Sequence, residues 1–420
     1  MNSHTRPIPG PKVAHRAFAA LSNRDFRIYV VAATAAMMAD NIEHVITYKV
    51  LFDHFHSAAI GAFAVVSHWV PFLLLGGVTG GFADRFDIRR LIQISLLMYV
   101  VVSVSWGVMF LTDSLSLWMG MLLLVVHGLA GVIWSPAAQV LIHQIVESDE
   151  LPSAVRLNAT GRYLGSLVGP LFGAGLLLGL GPAYGIFANA LIYLPLFVWL
   201  IRAPYGPAAK DKRPARAAVR GFADIFSTMR LVARSPVLSS MTVLVGAASF
   251  FIGNAYQAQM PGFANDLGHR RADLTYGMLL GADAAGGLIG GIILETRAWL
   301  PPRARTAFVL AIIWCAALFG FARTTTYPLA LALLFIAGFV ELAFNSMAQA
   351  LVQMNAPSDI RGRVIGVFAM SASGLRTFSG LSVGLVGVYV GIHRSLALSA
   401  AALFIIYIAL FVARSLRRDG

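Results

Sequence analysis

The chain has 420 residues and a net charge of +13, yet it is 58% hydrophobic and only 12% charged, about half the charged share of a soluble domain. With a mean hydropathy of +0.74, that excludes a water-soluble enzyme. Its basic residues lie in short loops between apolar runs, which is the topogenic pattern of a membrane protein and not a nucleic-acid-binding surface.

Residues 1–28 form a basic, Pro- and His-containing tail without a signal-peptide h-region. Apolar runs long enough to cross a hydrocarbon core about 30 Å thick then recur to the end of the chain. They predict an all-α membrane protein of about twelve spans, at 29–52, 58–82, 91–111, 115–143, 157–179, 184–201, 236–261, 274–294, 305–322, 327–352, 364–390 and 396–413. Residues 203–235, rich in Pro, Ala, Lys and Arg, read as a semi-extended cytoplasmic linker between a six-helix bundle at 29–202 and another at 236–413. Residues 414–420 read as a short cytoplasmic tail. Most Lys and Arg fall on one side of this arrangement, which places both termini in the cytoplasm. Cys315 is the only cysteine, so neither an intrachain disulfide nor a thiolate-built metal centre is expected.

An internal repeat supports the division into halves. Ser135-Pro-Ala-Ala-Gln139-Val-Leu141, followed by Asp149, aligns at an offset of 210 residues with Asn345-Ser-Met-Ala-Gln349-Ala-Leu351, followed by Asp359. At an offset of 211, Gly80-x-x-x-Asp84 faces Gly291-x-x-x-Glu295. Two parallel-repeated halves form the architecture in which a substrate site lies near the bilayer midplane, between the repeats.

The loop after the second span, Gly80-x-x-x-Asp84-Arg85-x-Asp87-x-Arg89-Arg90, resembles the signature of the major facilitator superfamily, with Asp87 where that family usually has glycine. In the fifth span, Gly165-x-x-x-Gly169-Pro170-x-x-Gly173 is similar to the motif of its proton-coupled antiporters. Asn23-Arg-Asp-Phe-Arg27 and Arg361-Gly-Arg363-Val resemble the branch of siderophore and macrolide exporters. The resemblance implies a gating role for Gly80, Asp84, Arg85, Arg89, Arg90 and, through the repeat, Glu295. The arginine that antiporters often carry in the fourth span is absent, and His127 stands there, so a proton-driven exporter needs another acceptor.

Asp40, Glu43, His44 and Thr47 share one face of the first span. Each charge costs roughly 2.5–3.5 kcal/mol at a bilayer centre, so these groups are expected to face a water-filled cavity. Three readings stay open: proton coupling, ligation of a divalent cation, or pairing of Glu43 or His44 with Lys49. His68, His127, Asp283 and Glu341 are further titratable groups within spans. His127, Asp283 and Glu341 join the proton-coupling candidates. Arg162 and Arg376, with Asn254, Gln257 and Asn345, are candidates for substrate contact; the arginines fit equally well as partners of the buried acids. Gly165, Gly169 and Gly173 lie on one stripe, which fits close helix packing with a slight kink at Pro170.

No phosphate-binding loop is present, so ATP is not the expected energy source, and neither a cofactor nor a resident metal is predicted. The expected function is secondary active transport from a bacterial-type inner membrane, with protons, a small-molecule substrate and the lipid bilayer as partners. The leading form is monomeric, proton-coupled efflux of an amphipathic drug or siderophore by alternating access. The alternative cargo is a small polar metabolite or a divalent metal ion, and a non-transporting receptor on the same helices is the reading from another class.

Overall fold

The computed structural model describes residues 17–55, 58–205, 222–253, 255–267, 272–297, 302–379, 383 and 386–419. After a single turn at Ala19–Ser22 the helices of the first half are α1 (Arg24–Phe55), α2 (Ala58–Arg85), α3 (Ile88–Leu111), α4 (Leu117–Ile145), α5 (Leu151–Ile192) and α6 (Leu194–Arg202). A short α7 (Phe222–Arg234) precedes the second half. That half comprises α8 (Pro236–Phe251), α9 (Ala255–Ala258), α10 (Met260–Asp266), α11 (Ala272–Arg297), α12 (Ala304–Arg323), α13 (Tyr327–Asn355), α14 (Arg361–Ala369), α15 (Arg376–Ser379), α16 (Val386–Val390) and α17 (Ile392–Asp419).

Among the described residues, nine helical stretches are long and apolar enough to cross a bilayer by length and composition. The first helix is not among them, because Asp40, Glu43 and Lys49 interrupt its apolar run. The predicted fifth and sixth spans fall within one stretch, Leu151–Arg202. They are separated at Gly181, whose φ of 75° suits glycine, followed by Pro182, which cannot donate a backbone hydrogen bond. Gly181 is the one residue of α5 with non-helical dihedrals; the predicted kink at Pro170 is not where the helix breaks.

Each half has its own apolar core. One cluster draws only on residues from Val232 to Tyr407, and two others draw on the first half, with Ala350 and Ile365 added from the second. Two expected spans are discontinuous. The seventh stops at Phe251 and turns through Gly253 (φ 46°) before α9 and α10. The eleventh passes from α14 into a π-helical turn at Met370–Gly374 before α15. The two breaks pack together: Ser249 Oγ donates to the Ala372 carbonyl at 2.7 Å, and a side chain at Gly253 would meet Ser379 Oγ at 2.6 Å. Interrupted helices of this kind expose backbone groups where a transporter builds its binding site.

The predicted linker is helical over its second part. In α7, Asp224, Ile225, Thr228 and Val232 recur at helical spacing and are buried, while Phe226 and Met229 are exposed. Residues 206–221 of the linker lie outside the described residues.

The two halves meet at the face that the charge pattern assigns to the cytoplasm. Along the α2–α14 seam, Gly76 and Gly80 oppose Gly362 and Gly366, and a side chain on Gly80 or Gly366 would strike the facing carbonyl oxygen of Gly362 or Gly76. Along the α5–α11 seam, Gly291 lies against Thr160, and Gly287 leaves 2.7 Å for Tyr163 Cε1. A Gly366→Leu protein is therefore expected to fold, because each half keeps its own core, but to be unable to close this face. Spin-label distances across the seam should collapse to a single long population, and a wild-type distribution would contradict the packing.

Candidate functional site

Three polar assemblies occupy this scaffold, one inside each half and one at the seams. In the first half, the Gly128–Ser67 contact brings α4 against α2 and sets His127 beside His68. His127 Nε2 lies 2.8 Å from Asp40 Oδ1, and its Nδ1 lies 2.8 Å from Glu43 Oε1. Glu43, 2% exposed, also accepts from the Ser103 hydroxyl, which Asn189 Nδ2 approaches at 3.5 Å. His44 completes the group, its ring 4.9 Å from those of both His68 and His127. Thr47 turns away to its own helix, donating to the Glu43 carbonyl at 2.7 Å, and Lys49 is exposed.

In the second half, Asp283 from α11 and Glu341 from α13 converge on the Tyr256 hydroxyl. That oxygen is 3.1 and 3.2 Å from the two Asp283 carboxylate oxygens and 3.2 Å from Glu341 Oε2. Gln257 donates to Asp283 at 2.9 Å. From the first half, the Tyr163 ring on α5 packs against Gly287 of α11. Asn345 instead donates to the Glu341 backbone carbonyl at 3.0 Å. Asn254 lies outside the described residues. Arg162, in the first two turns of the predicted fifth span, is exposed. Arg376 from the other half lies over Trp69 of α2, 5.1 Å from the ring centroid. Arg376, Tyr163 and Trp69 bring polar and aromatic groups together between the halves.

At the α2–α14 seam, Asp84 Oδ1 accepts from the Gly362 backbone N–H at 2.5 Å and Oδ2 from the Arg363 N–H at 2.9 Å. The carboxylate thus sits on the first turn of α14, where the helix dipole and unsatisfied N–H groups favour an anion. Asp224 of α7 links the halves as well, 3.2 Å from Arg85 and 3.4 Å from Arg363. At the α5–α11 seam, Glu295, 1% exposed, accepts from Arg156 Nε at 2.7 Å, from the Phe18 N–H at 2.8 Å and from the Ser153 hydroxyl. The two repeat-related acids therefore each reach into the opposite half.

Arg89 and Arg90 stay within their own half. Arg89 pairs with Asp87 at 2.9 Å and donates to the Ala203 carbonyl, while Arg90 donates to Gln93. Asp87 replaces glycine without strain because its φ is −64° and its carboxylate caps α3 by accepting from the Arg89 N–H. Gly165, Gly169 and Gly173 are buried against α1: a side chain at Gly165 would meet the Thr34 carbonyl at 2.7 Å, and one at Gly169 would meet Asn41 Cβ at 2.6 Å. Pro170 faces outward. Beside the expected residues the structure adds Tyr163, Tyr256, Ser103, Ser153, Arg156, Asp224 and Arg363. Arg156 read in the sequence only as a topogenic charge, Arg363 as part of the exporter-like Arg361-Gly-Arg363-Val motif, and the tyrosines only as members of apolar runs.

The profile of the Major Facilitator Superfamily matches residues 28–381. The chain belongs to this superfamily. Members of the major facilitator superfamily are membrane transporters, so the protein is a multi-pass integral membrane transporter and not an enzyme. It is 25% identical over 396 residues to the multidrug efflux pump Tap of Mycolicibacterium fortuitum, covering 92% of this chain and 95% of that protein. Among solved structures, the human organic anion transporter MFSD10 (TETRAN) superposes with a TM-score of 0.75 at 14% identity, over 92% of this chain and 99% of that one. The E. coli fucose:proton symporter FucP superposes with a TM-score of 0.70 at 12% identity, over 95% and 99%. At such identities the two structures bear on the fold, which is that of the superfamily.

Proposed function

We propose that this superfamily member is a secondary active exporter that releases an amphipathic small molecule, a drug or siderophore, in exchange for protons. The observation that carries the reading is the Asp283–Tyr256–Glu341 cluster. A phenol donates one hydrogen bond, yet the Tyr256 oxygen contacts both carboxyl groups at 3.1–3.2 Å. If both acids were ionised, one of these contacts would set oxygen against oxygen with no hydrogen between, and would bury two anions side by side. A proton on one carboxyl satisfies every contact: that group donates to the phenol oxygen, and the phenol donates to the other acid. The cluster is thus built to hold one proton as a unit.

Tyr163 of the first half packs on Gly287 of α11, one turn from Asp283, which is how loading and release of that proton would bias the seams between the halves. Arg162, Arg376 and Trp69 supply charged and aromatic contacts for an amphipathic cargo. The closed seam, on the face with most of the basic loop residues, corresponds to a state sealed toward the cytoplasm. The efflux-pump relative supports export rather than import. One chain supplies both halves and the space between them, so a monomer suffices.

Purified protein in weakly buffered detergent, titrated with a panel of amphipathic cations and siderophores, should release protons on binding those compounds that raise its thermal stability. A Glu341→Gln protein should bind the same compounds without proton release. Equal release from both proteins, or none from either, would refute the coupling.

A further inference from the structure

We propose that His44, His68 and His127, with Asp40, form a binding site for a first-row transition-metal dication of the Zn2+ or Co2+ kind inside the first half. This goes beyond the exporter reading and does not depend on it. The three histidines come from α1, α2 and α4, and their ligand atoms all lie within 4.8 Å of one another. Four ligands at Zn–N and Zn–O distances near 2.0–2.1 Å stand about 3.4 Å apart in a tetrahedron. The cluster therefore needs a contraction of at most about 1.5 Å to close on an ion, within the reach of small side-chain rotations.

Two ring nitrogens of this group lack a partner. Among the described residues, His44 Nε2 and His68 Nδ1 are buried with no hydrogen-bond partner, and an unsatisfied buried polar atom is costly. Helix packing alone would be served better by apolar side chains at these positions. His127 Nε2 points at Asp40 Oδ1, so an ion between them takes both as ligands. Its Nδ1 remains on Glu43, giving a carboxylate–histidine–metal arrangement, and Ser103 fixes the Glu43 carboxylate in turn. Asp40 and Glu43 together balance a double positive charge. Arg376, a cation from the other half, lies over Trp69, the neighbour of His68, 5.1 Å from the ring centroid. Imidazole with carboxylate suits zinc, cobalt or nickel better than magnesium or calcium, and the absence of a thiolate disfavours soft Cu(I). Every ligand belongs to the first half, so the ion would pin α1, α2 and α4 together without crossing the α2–α14 seam.

The test is Co2+ titration of the full-length protein, purified through a tag without histidine, together with zinc-edge X-ray absorption of the Zn2+-loaded wild type. One Co2+ per chain should bind with the intense visible bands of a tetrahedral site and be displaced by one Zn2+. The zinc spectrum should show three imidazoles and one oxygen at about 2.0–2.1 Å. His68→Ala should weaken Co2+ binding by about 100-fold, and Glu43→Gln by about 10- to 100-fold with the tetrahedral bands retained. His393→Ala, which removes the separate His393–Asp266 pair, should bind as wild type does. The proposal falls if Co2+ is not bound, if its affinity is unchanged by His68→Ala, or if the wild-type zinc spectrum shows fewer than two imidazoles. The last measurement decides the matter even where a variant fails to fold.

Discussion

An Asp84→Asn protein is expected to fold and reach the membrane, yet to lose most of its transport because its cytoplasmic seam no longer stays shut. The carboxylate binds the Gly362 and Arg363 N–H groups at 2.5 and 2.9 Å, and the amide that replaces it offers one neutral oxygen where two charged ones stood. Hydrogen bonds to a charged group contribute about 1.5–3 kcal/mol, so the ratio of closed to open molecules should fall about 10- to 100-fold. Spin labels at Phe86 and Asp359, in a chain whose only cysteine is buried, should report a longer distance population in the variant. Adding Glu295→Gln, which breaks the contact to Arg156 at the other seam, should shift the population further, because the two locks share no partner. Wild-type distances and turnover in both proteins would remove the lock from the account.

The second large effect is expected at Glu341. Glutamine keeps the shape of the side chain and can still contact Tyr256, but it cannot take up or release a proton. Gradient-driven accumulation should drop about 100-fold, a typical loss for a group that must carry a proton, while substrate affinity stays within a few-fold of wild type. Tyr256→Phe removes only the bridging hydroxyl and should cost about 10-fold. Uptake into everted vesicles, measured beside binding in detergent, separates these effects. A Glu341→Gln protein that still pumps against a gradient would mean that the second-half cluster is structural.

Much of the fold was legible because a bilayer makes simple demands. The apolar runs coincide with the nine stretches long and apolar enough to cross a bilayer among the described residues, and the offset between Asp84 and Glu295 identifies two equivalent corners before any contact is known. What each acid touches was not legible. Gly362, Arg363, Ser153 and Arg156 lie 139 to 279 residues away in sequence, and only the docking of one half on the other brings them near. The breaks in the seventh and eleventh spans were hidden for a different reason. In a chain with 40 glycines, Gly253 and Gly374 do not stand out, and what matters is that they face Ser379 and Leu73 at close range. At the first-half cluster, helical spacing placed Asp40, Glu43 and His44 on one face. His127 registered as a titratable group in place of a missing arginine, but its position between the two acids depends on the approach of α4 to α2 at Gly128. Tyr256 carried no signal, since a lone phenol in an apolar run is ordinary until two carboxyl groups converge on it.

Proton-coupled export is tested most directly in proteoliposomes whose interior is made acidic, loaded with the purified protein and offered a panel of amphipathic drugs and siderophores. At least one compound should accumulate inside as protons leave. Accumulation should collapse when the gradient is dissipated and should be absent with Glu341→Gln. Uptake that proceeds equally with and without the pH gradient would contradict the account.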